Sequence, residues 1–226
     1  MTKNRNMVAK TDIRVAIVED HDLYRELLTT SLAATEGITI VGSFSGVAAA
    51  KAGLKPGTVD VALLDIELGD GNGVALGVSL RRADPKLGIV LLSARNMVEL
   101  LLGLPEDVRY GWSYLSKTSV TSLETLVHTI RVTNDGETVL DPTLMARSSA
   151  RRGTPVSTLT NRQFEILRMV ARGMANQTIA DDLGIANNSV VNHLSAIYAT
   201  LNIPEGQNAR VTAVLEFLND TSRPAS

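Results

Sequence analysis

Apolar residues follow two alternating patterns along the first 134 positions. Short runs that are almost continuously apolar and rich in β-branched residues are typical of buried parallel strands, whereas leucines or alanines at helical spacing predict amphipathic helices. The strand pattern fits residues 13–18, 38–41, 59–64, 89–92 and 112–115. The helical pattern fits residues 21–34, 47–54, the segment after the turn 69–73 that ends at 83, 97–102 and 121–133. Five strand–helix alternations predict an α/β fold with a doubly wound, parallel, five-stranded sheet.

The pattern changes after position 134. Residues 135–156 are rich in Gly, Ser, Thr, Pro and Arg, a composition typical of a linker. Beyond this linker the apolar spacing is helical only, over about four segments. In the third segment Val190, Leu194, Ile197 and Leu201 form one apolar stripe, and polar residues lie on the opposite face. This pattern therefore predicts an all-α helix-turn-helix domain whose recognition helix faces outward.

Two helices are predicted to begin with a capping box. In this motif a hydroxyl side chain and a Glu or Gln three residues later satisfy free backbone amides at the helix start. The pairs are Thr121 with Glu124 and Thr160 with Gln163. Each pair marks the residue at which we expect a helix to begin.

Acidic side chains follow two of the predicted strands. Glu19 and Asp20 come directly after the first strand, and Asp65 closes the third. The carboxyl ends of parallel strands meet in the crevice where open α/β sheets bind their ligands, so we expect the three acids to lie together. Carboxylates so crowded repel one another unless a hard cation lies among them, and their oxygen atoms suit Mg²⁺. The sequence therefore predicts a magnesium site at this edge of the sheet.

Polar residues also follow the last two strands: Ser93 after the fourth and Lys117 after the fifth, with Tyr114 three residues before the lysine. Taken singly, each has an ordinary explanation. An Asp after a strand often caps a helix, and a lone Lys is usually a solvated surface side chain. Taken in order with the acids, the set resembles the receiver domains of two-component response regulators over residues 13–134. The resemblance implies the flavodoxin-like receiver fold.

The resemblance also implies the chemistry of the acids. Asp65 would be the nucleophile that accepts a phosphoryl group from a phosphohistidine on a sensor histidine kinase. Mg²⁺ would be held by Asp20, Asp65 and the backbone carbonyl of Glu67, with Glu19 acting through water. The metal would neutralise the phosphoryl oxygens during transfer.

The same resemblance implies that three residues take part in the conformational change after phosphorylation, namely Lys117, Ser93 and Tyr114. Lys117 would pair with a phosphoryl oxygen, Ser93 would donate a hydrogen bond to the phosphoryl group, and Tyr114 would move into the space that Ser93 leaves. The chain departs from the family pattern in two places. Gly69 stands where many relatives have proline, which predicts a looser loop. An insertion at 103–107 lies in the face that receivers use to dimerise, so the usual dimer geometry is not carried over.

Residues 159–218 resemble the LuxR-type DNA-binding domain. The matching residues are spread over nearly the whole module: Leu159-Thr160, Arg162, Glu165-Ile166-Leu167, Gly173, Asn176, Ile179-Ala180, Leu183-Gly184-Ile185, Ser189-Val190 and Asn192-His193-Leu194. The resemblance implies sequence-specific binding to double-stranded DNA. A helical protein-interaction domain is the alternative.

Six side chains of the predicted recognition helix are assigned to DNA by their positions in this family. Those expected at base edges are Val191, Asn192 and Ser195, and those expected near phosphates are Asn188, Ser189 and His193. Asn192 can make two hydrogen bonds to adenine and Val191 can contact a thymine methyl group, which favours a site containing A·T pairs.

The charge of the chain predicts that its DNA binding is weak. The chain has a formal net charge of −2, and residues 155–226 carry five Arg and no Lys against six acids, a net charge of −1. Relatives commonly carry Lys or Arg at the positions of Val191, Ser195 and Thr200. Because attraction to phosphates dominates nonspecific affinity, we expect a monomer to bind DNA weakly. Three linker arginines either supply the missing charge or are simply solvated; these are Arg147, Arg151 and Arg152.

Composition excludes several other classes. The sequence has no cysteine, so it offers no disulfide framework, thiolate metal site or cysteine nucleophile. No apolar run reaches the length of about 18 residues that a membrane span requires, and the polar first ten residues lack the apolar segment of a signal peptide. We therefore expect a cytoplasmic protein that makes no membrane contact.

The predicted protein is a response regulator transcription factor with a receiver domain over 11–134, a linker over 135–156 and a helix-turn-helix domain over 157–221. Phosphorylation of Asp65 is expected to switch homodimerisation and DNA binding, and no enzymatic turnover is expected. A phosphorylation-independent DNA-binding regulator and a Mg²⁺-dependent phosphohydrolase are the alternatives. Against the second, Glu67 stands two residues after Asp65, where such enzymes need another catalytic aspartate.

Overall fold

The computed structural model describes residues 12–94, 101, 103–105, 107–118, 122–141, 153–204 and 206–221. Five parallel strands form one sheet in the order β2-β1-β3-β4-β5. Their bounds are β1 Ile13–Val18, β2 Ile38–Phe44, β3 Val61–Asp65, β4 Gly88–Ser93 and β5 Trp112–Ser116. The predicted doubly wound parallel sheet is confirmed.

Both faces of the sheet are covered by helices, which is why its central strands are apolar at almost every position. Alternate residues of β3 pack on opposite faces of the sheet. Ala62 and Leu64 lie in one buried cluster, and Val61 and Leu63 lie in the other. The covering helices are α1 Asp22–Ala33, α2 Val47–Gly53, α3 Gly73–Ala83 and α4 Leu123–Asn134. Of the helix predicted at 97–102, only Leu101 lies within the described residues.

The N-cap of helix α4 lies one residue later than predicted. Ser122 is the N-cap, and its hydroxyl accepts a hydrogen bond from the amide of Thr125 at 3.2 Å. The prediction that Thr121 caps this helix with Glu124 was therefore wrong. The backbone of Ser122 takes the extended conformation required of a cap.

Residues 139–141 lie along the free edge of the sheet. The amide of Tyr114 donates to the carbonyl of Val139 at 2.9 Å, and Leu140 pairs with Tyr114 as a parallel bridge. The amide of Ser116 donates to the carboxylate of Asp141 at 2.7 Å. Residues 138–141 of the predicted linker are therefore buried beside β5.

The C-terminal module contains four α-helices after a short 3₁₀ turn, Pro155–Thr158. They are α5 Asn161–Ala171, α6 Asn176–Leu183, α7 Asn187–Thr200 and α8 Ala209–Thr221. The capping box of Thr160 with Gln163 is present at the start of α5. Gly184, at φ +62°, makes the left-handed turn from α6 into α7 that the helix-turn-helix requires. Within the part of the chain that the structure describes, no helix is long and apolar enough to cross a membrane.

The two halves of the molecule contact each other behind β5. The amide of Leu140 donates to the carbonyl of Ala171, the last residue of α5, at 2.8 Å. The guanidinium of Arg210 on α8 lies 3.6 Å from the carboxylate of Glu137. The side of α7 that carries Asn188 and Asn192 remains exposed in this arrangement.

Candidate functional site

The acidic residues lie where the strands of the sheet end. Glu19 directly follows β1, and Asp65 is the last residue of β3, the neighbouring strand. Both are buried, with 1% of Glu19 and 4% of Asp65 exposed. Gly73 allows the chain to close behind Asp65, because a Cβ at this position would lie 1.9 Å from the Asp65 carbonyl oxygen.

Lys117 joins the two buried acids. Its Nζ lies 2.7 Å from Oε2 of Glu19 and 2.9 Å from Oδ2 of Asp65. Its backbone amide donates to the carbonyl of Ser93 at 2.7 Å, which fixes the ends of β4 and β5 together. Burial acts to lower the pKa of Lys117, but the attraction of the two carboxylates outweighs it and raises this pKa above its ordinary value. The lysine therefore stays charged.

The charge on Glu19 is disfavoured by burial. Burial is the main cause that raises its pKa above the ordinary value; Lys117 partly offsets this and Asp65 adds to it. Among the described residues, no donor makes a well-directed hydrogen bond to Oε2 of Glu19. Lys117 lies close to this oxygen, so we regard the contact as Coulombic attraction without hydrogen-bond geometry. A buried carboxylate oxygen that accepts no hydrogen bond is a suitable place for a further cation.

Asp20 lies at the open side of the same edge. Its Oδ2 accepts a hydrogen bond from the amide of Gly69 at 3.0 Å, and its Oδ1 lies 3.1 Å from Nδ1 of His21. Donor atoms of Glu19, Asp20 and His21 all lie within 4.8 Å of one another, a spacing that a metal ion can bridge. Together with Asp65 on the adjacent strand, the carboxylates of Glu19 and Asp20 offer the oxygen donors that Mg²⁺ prefers.

The loop after Asp65 is held by hydrogen bonds within itself and to its neighbours. Residues 67–68 pair with 71–72 as a short antiparallel hairpin. Because position 69 is glycine, its amide is free to donate to Asp20, which a proline would prevent. The carboxylate of Asp70 accepts hydrogen bonds from the amides of Val47 and Ala48 at the start of α2.

Of the remaining predicted residues, Ser93 and Glu67 lie beside the cluster, whereas Tyr114 lies in the hydrophobic core beneath this edge. Ser93, the last residue of β4, and Tyr114, on β5, are fully buried. Glu67 is exposed, and its amide lies 3.3 Å from Oδ1 of Asp65 as a hydrogen-bond donor. Glu19, Asp65 and Lys117 are thus in direct contact, and Asp20, Ser93 and Glu67 border them.

Two neighbours of the cluster were missed by the sequence analysis. Nζ of Lys117 lies 4.9 Å from the centroid of the Tyr24 ring. The guanidinium of Arg25 donates to the Glu19 carbonyl at 2.8 Å. Both residues lie in the first turn and a half of α1, where their spacing indicates only a helix, so the sequence held no separate signal for them.

The predicted DNA-contacting residues share one side of α7. Four of the six are exposed, namely Asn188, Val191, Asn192 and Ser195, while Ser189 and His193 are half-buried. The opposite side, with Val190, Leu194 and Ile197, is buried in the module. Helix α7 contains no Lys or Arg, so its outer face is polar and nearly uncharged.

A parallel sheet with an acid–lysine cluster at its carboxyl edge, followed by a helix-turn-helix, defines a class of protein: a receiver joined to a DNA-binding module. Comparison with protein families agrees. The family described as response regulator receiver domain matches residues 15–131, and the family described as bacterial regulatory proteins, luxR family, matches residues 157–213. The chain belongs to the response regulators with a LuxR-type DNA-binding domain and is a response regulator transcription factor.

Relatives of known role share this organisation. The chain is 30% identical to the DNA-binding transcriptional activator DevR/DosR of Mycobacterium tuberculosis, covering 89% of this chain and 94% of that protein. It is 31% identical to the response regulator protein VraR of Staphylococcus epidermidis, covering 89% and 96%. The solved structure of the RcsB response regulator of Salmonella typhimurium shares the fold, with a TM-score of 0.51 and 20% identity over 92% of this chain and 99% of that one.

Proposed function

We propose that Asp65 accepts a phosphoryl group from a sensor histidine kinase and that this modification controls DNA binding. The observation that carries the proposal is the contact of one ammonium group with two buried carboxylates, at 2.7 Å from Glu19 and 2.9 Å from Asp65. An ordinary surface lysine makes no such contact, and an ordinary helix cap is not buried beside a second acid. The domain bounds that accompany this proposal are 11–134 for the receiver, 135–156 for the linker and 157–221 for the DNA-binding domain.

In the proposed reaction a carboxylate oxygen of Asp65 attacks the phosphorus of a phosphohistidine. The new bond joins oxygen to phosphorus, the bond from phosphorus to the imidazole nitrogen breaks, and the imidazole leaves with the electron pair. Mg²⁺ would be held by Asp20, Asp65 and the Glu67 carbonyl, with Glu19 through water. When bound, the metal would neutralise negative charge on the phosphoryl oxygens.

The chain's own residues then hold the product. Lys117 already lies 2.9 Å from Asp65 and would pair with a phosphoryl oxygen. Ser93 would donate a hydrogen bond to the same group, and Tyr114 would follow into the space it leaves. Because the amide of Tyr114 is hydrogen-bonded to Val139, a movement of this residue would act on the segment that contacts α5.

A kinase must reach Asp65 across the rim of the crevice. Leu23 and Leu27, one turn apart on α1, are 83% and 58% exposed beside the acid pair. Exposed leucines at this spacing suit the apolar side of a partner helix. They support docking of the kinase over the start of α1.

DNA would be read by Val191, Asn192 and Ser195 at base edges, with Asn188, Ser189 and His193 near phosphates. The exposure of the first three and of Asn188 supports this assignment. Because the face of α7 lacks basic residues, one module would bind weakly. Two modules of a phosphorylated homodimer on half-sites about one helical turn apart would supply the missing affinity.

Intact mass measurement tests the phosphotransfer step. The full-length protein is incubated with acetyl phosphate, with and without Mg²⁺, and we expect the mass of one phosphoryl group to be added only with the metal. Asp65→Asn should remain unmodified. Asp60→Asn is the matched control, because Asp60 lies just before the other end of β3, and it should be modified like the wild type. Modification that persists in Asp65→Asn would contradict the proposal.

One observation favours a second candidate, a phosphorylation-independent regulator. The base-facing side chains of α7 are already exposed in the unmodified chain. In that case DNA binding would be equal with and without the phosphodonor. This comparison separates the two candidates.

A further inference from the structure

We propose that Tyr24 is a positioning residue for phosphoryl transfer, and that the face of its ring holds the Lys117 ammonium at the phosphorylation site. This inference rests on the proposed phosphorylation of Asp65. It adds a residue on α1 to a site otherwise built from the ends of the strands.

The geometry is that of a cation–π contact. Nζ of Lys117 lies 4.9 Å from the centroid of the Tyr24 ring, within the distance of about 6 Å at which the negative face of the ring attracts a cation. The lysine side chain is only 17% exposed, so water screens this attraction weakly. The ring is a third contact of the ammonium, after the carboxylates of Glu19 and Asp65.

The ring can do what the carboxylates cannot. Once Asp65 carries a phosphoryl group, or a metal binds beside it, the contacts of Lys117 with Glu19 and Asp65 must rearrange, because their oxygen atoms acquire other partners. The ring attracts the ammonium without offering an oxygen that competes for the metal or repels the phosphoryl group. It can therefore keep the long lysine side chain in the crevice throughout the reaction.

Tyr24 is held rigidly enough for this role. Its ring packs against the buried cluster that includes Leu28 and Leu32 of the same helix. The guanidinium of Arg25 donates to the carbonyl of Glu19, which attaches the start of α1 to the acid pair. Burial is the main cause that raises the pKa of Tyr24 above its ordinary value, so the phenol stays neutral and adds no negative charge to the crevice.

The test measures the rate of phosphorylation of full-length variants by acetyl phosphate at saturating Mg²⁺ and over a range of donor concentrations. Tyr24→Phe keeps the ring, and Tyr24→Leu keeps an apolar side chain without it. We expect the maximal rate of Tyr24→Leu to fall about three- to tenfold and that of Tyr24→Phe to stay within about twofold of the wild type. Tyr110→Leu, a tyrosine outside the site, is the control and should react like the wild type.

A graded series excludes a merely structural role. Phenylalanines with one, two and three ring fluorines at position 24 keep nearly the same shape but weaken the negative face of the ring step by step. The rate should fall in the same order, while the melting temperature stays constant. A flat series, equal losses in Tyr24→Phe and Tyr24→Leu, or a wild-type rate in Tyr24→Leu would each overturn the role of Tyr24. If the wild type itself gains no phosphoryl group, the proposed function fails instead.

Discussion

The edge of the sheet and the outer face of α7 are built from opposite kinds of side chain. At the edge, a half-buried lysine lies within 3 Å of each of two buried acids, so these contacts carry charge where water screens them weakly. On α7, the four residues that project outward are exposed and uncharged. The first region is sensitive to a single added charge, whereas the second has little electrostatic affinity of its own. Under the proposed function, this difference assigns control to the receiver and makes DNA binding by α7 depend on it.

A short path of backbone hydrogen bonds connects β5 of the receiver with α5 of the DNA-binding module. The amide of Tyr114 donates to Val139, and the amide of the next residue, Leu140, donates to Ala171 at the end of α5. This segment is buried, since Val139 is 2% exposed and Leu140 fully buried. A shift of β5 on phosphorylation therefore has a mechanical route to the DNA-binding module.

The largest effect is expected from removing the charge that holds the acidic edge together. Lys117→Met should slow phosphorylation by acetyl phosphate about a hundredfold, because the developing phosphoryl charge loses its cation. It should also lower the free energy of unfolding by about 3 kcal/mol, since the buried carboxylate of Glu19 loses the cation beside it. Rates and urea unfolding measure the two effects.

Two variants check the cause of this loss. Lys55→Met removes an exposed lysine and should change neither rate nor stability. Adding Glu19→Gln to Lys117→Met should recover part of the stability and none of the rate. If Lys117→Met were as stable and as reactive as the wild type, the buried cluster would not have the role assigned to it.

An intermediate effect is expected from giving α7 the charge it lacks. Val191→Lys should tighten binding to nonspecific DNA several-fold and steepen the dependence of log K on log salt by about 0.9, the contribution of one neutralised phosphate. Asn192→Ala is the matched control: it should change the preferred sequence and leave the salt slope unaltered. Fluorescence anisotropy over a range of salt concentrations measures both. An unchanged slope in Val191→Lys would mean that this face does not approach the phosphates.

The smallest effect is expected at the opposite end of the sheet, in the pair of Arg14 and Asp60. Hydrogen bonds from Arg14 lower the pKa of Asp60 below its ordinary value of 3.8. The folded state therefore gains stability from this group above pH 3.8 and loses it as the pH falls through the lowered pKa. Asp60→Asn should be slightly less stable than the wild type at neutral pH, and the difference should shrink once the pH falls below about 3.8, as urea unfolding between about pH 6 and pH 2 would show. If the lower stability of Asp60→Asn did not change with pH, the charge of the Asp60 carboxylate would be excluded as its cause.

Much of the receiver site was predictable because strand ends are a strong constraint. Once the apolar runs are recognised, parallel pairing alone brings Glu19, Asp65 and Lys117 to one edge. Tyr24 was not predictable in the same way, since an aromatic residue near the start of an amphipathic helix usually packs into the core. The burial of residues 138–141 was also missed, because their pairing with β5 depends on a free sheet edge and not on their composition.

The helix-turn-helix was predicted for a similar reason. A single apolar stripe on α7 fixes which side faces the module and therefore which side faces outward. The sequence did not predict that Leu140 would contact the end of α5, because contacts between modules depend on shapes that the periodicity of one helix does not encode.

The central claim is that phosphorylation of Asp65 controls the DNA-binding helix, and one binding experiment tests it directly. A DNA sequence selected by the wild-type protein is titrated with wild type and with Asp65→Asn, each with Mg²⁺ and with or without acetyl phosphate. We predict that the phosphodonor tightens binding by the wild type about tenfold or more and leaves Asp65→Asn unchanged, a coupling of about 1.4 kcal/mol or more. Equal responses of the two proteins to the phosphodonor, or no response of the wild type despite full phosphorylation, would contradict the claim.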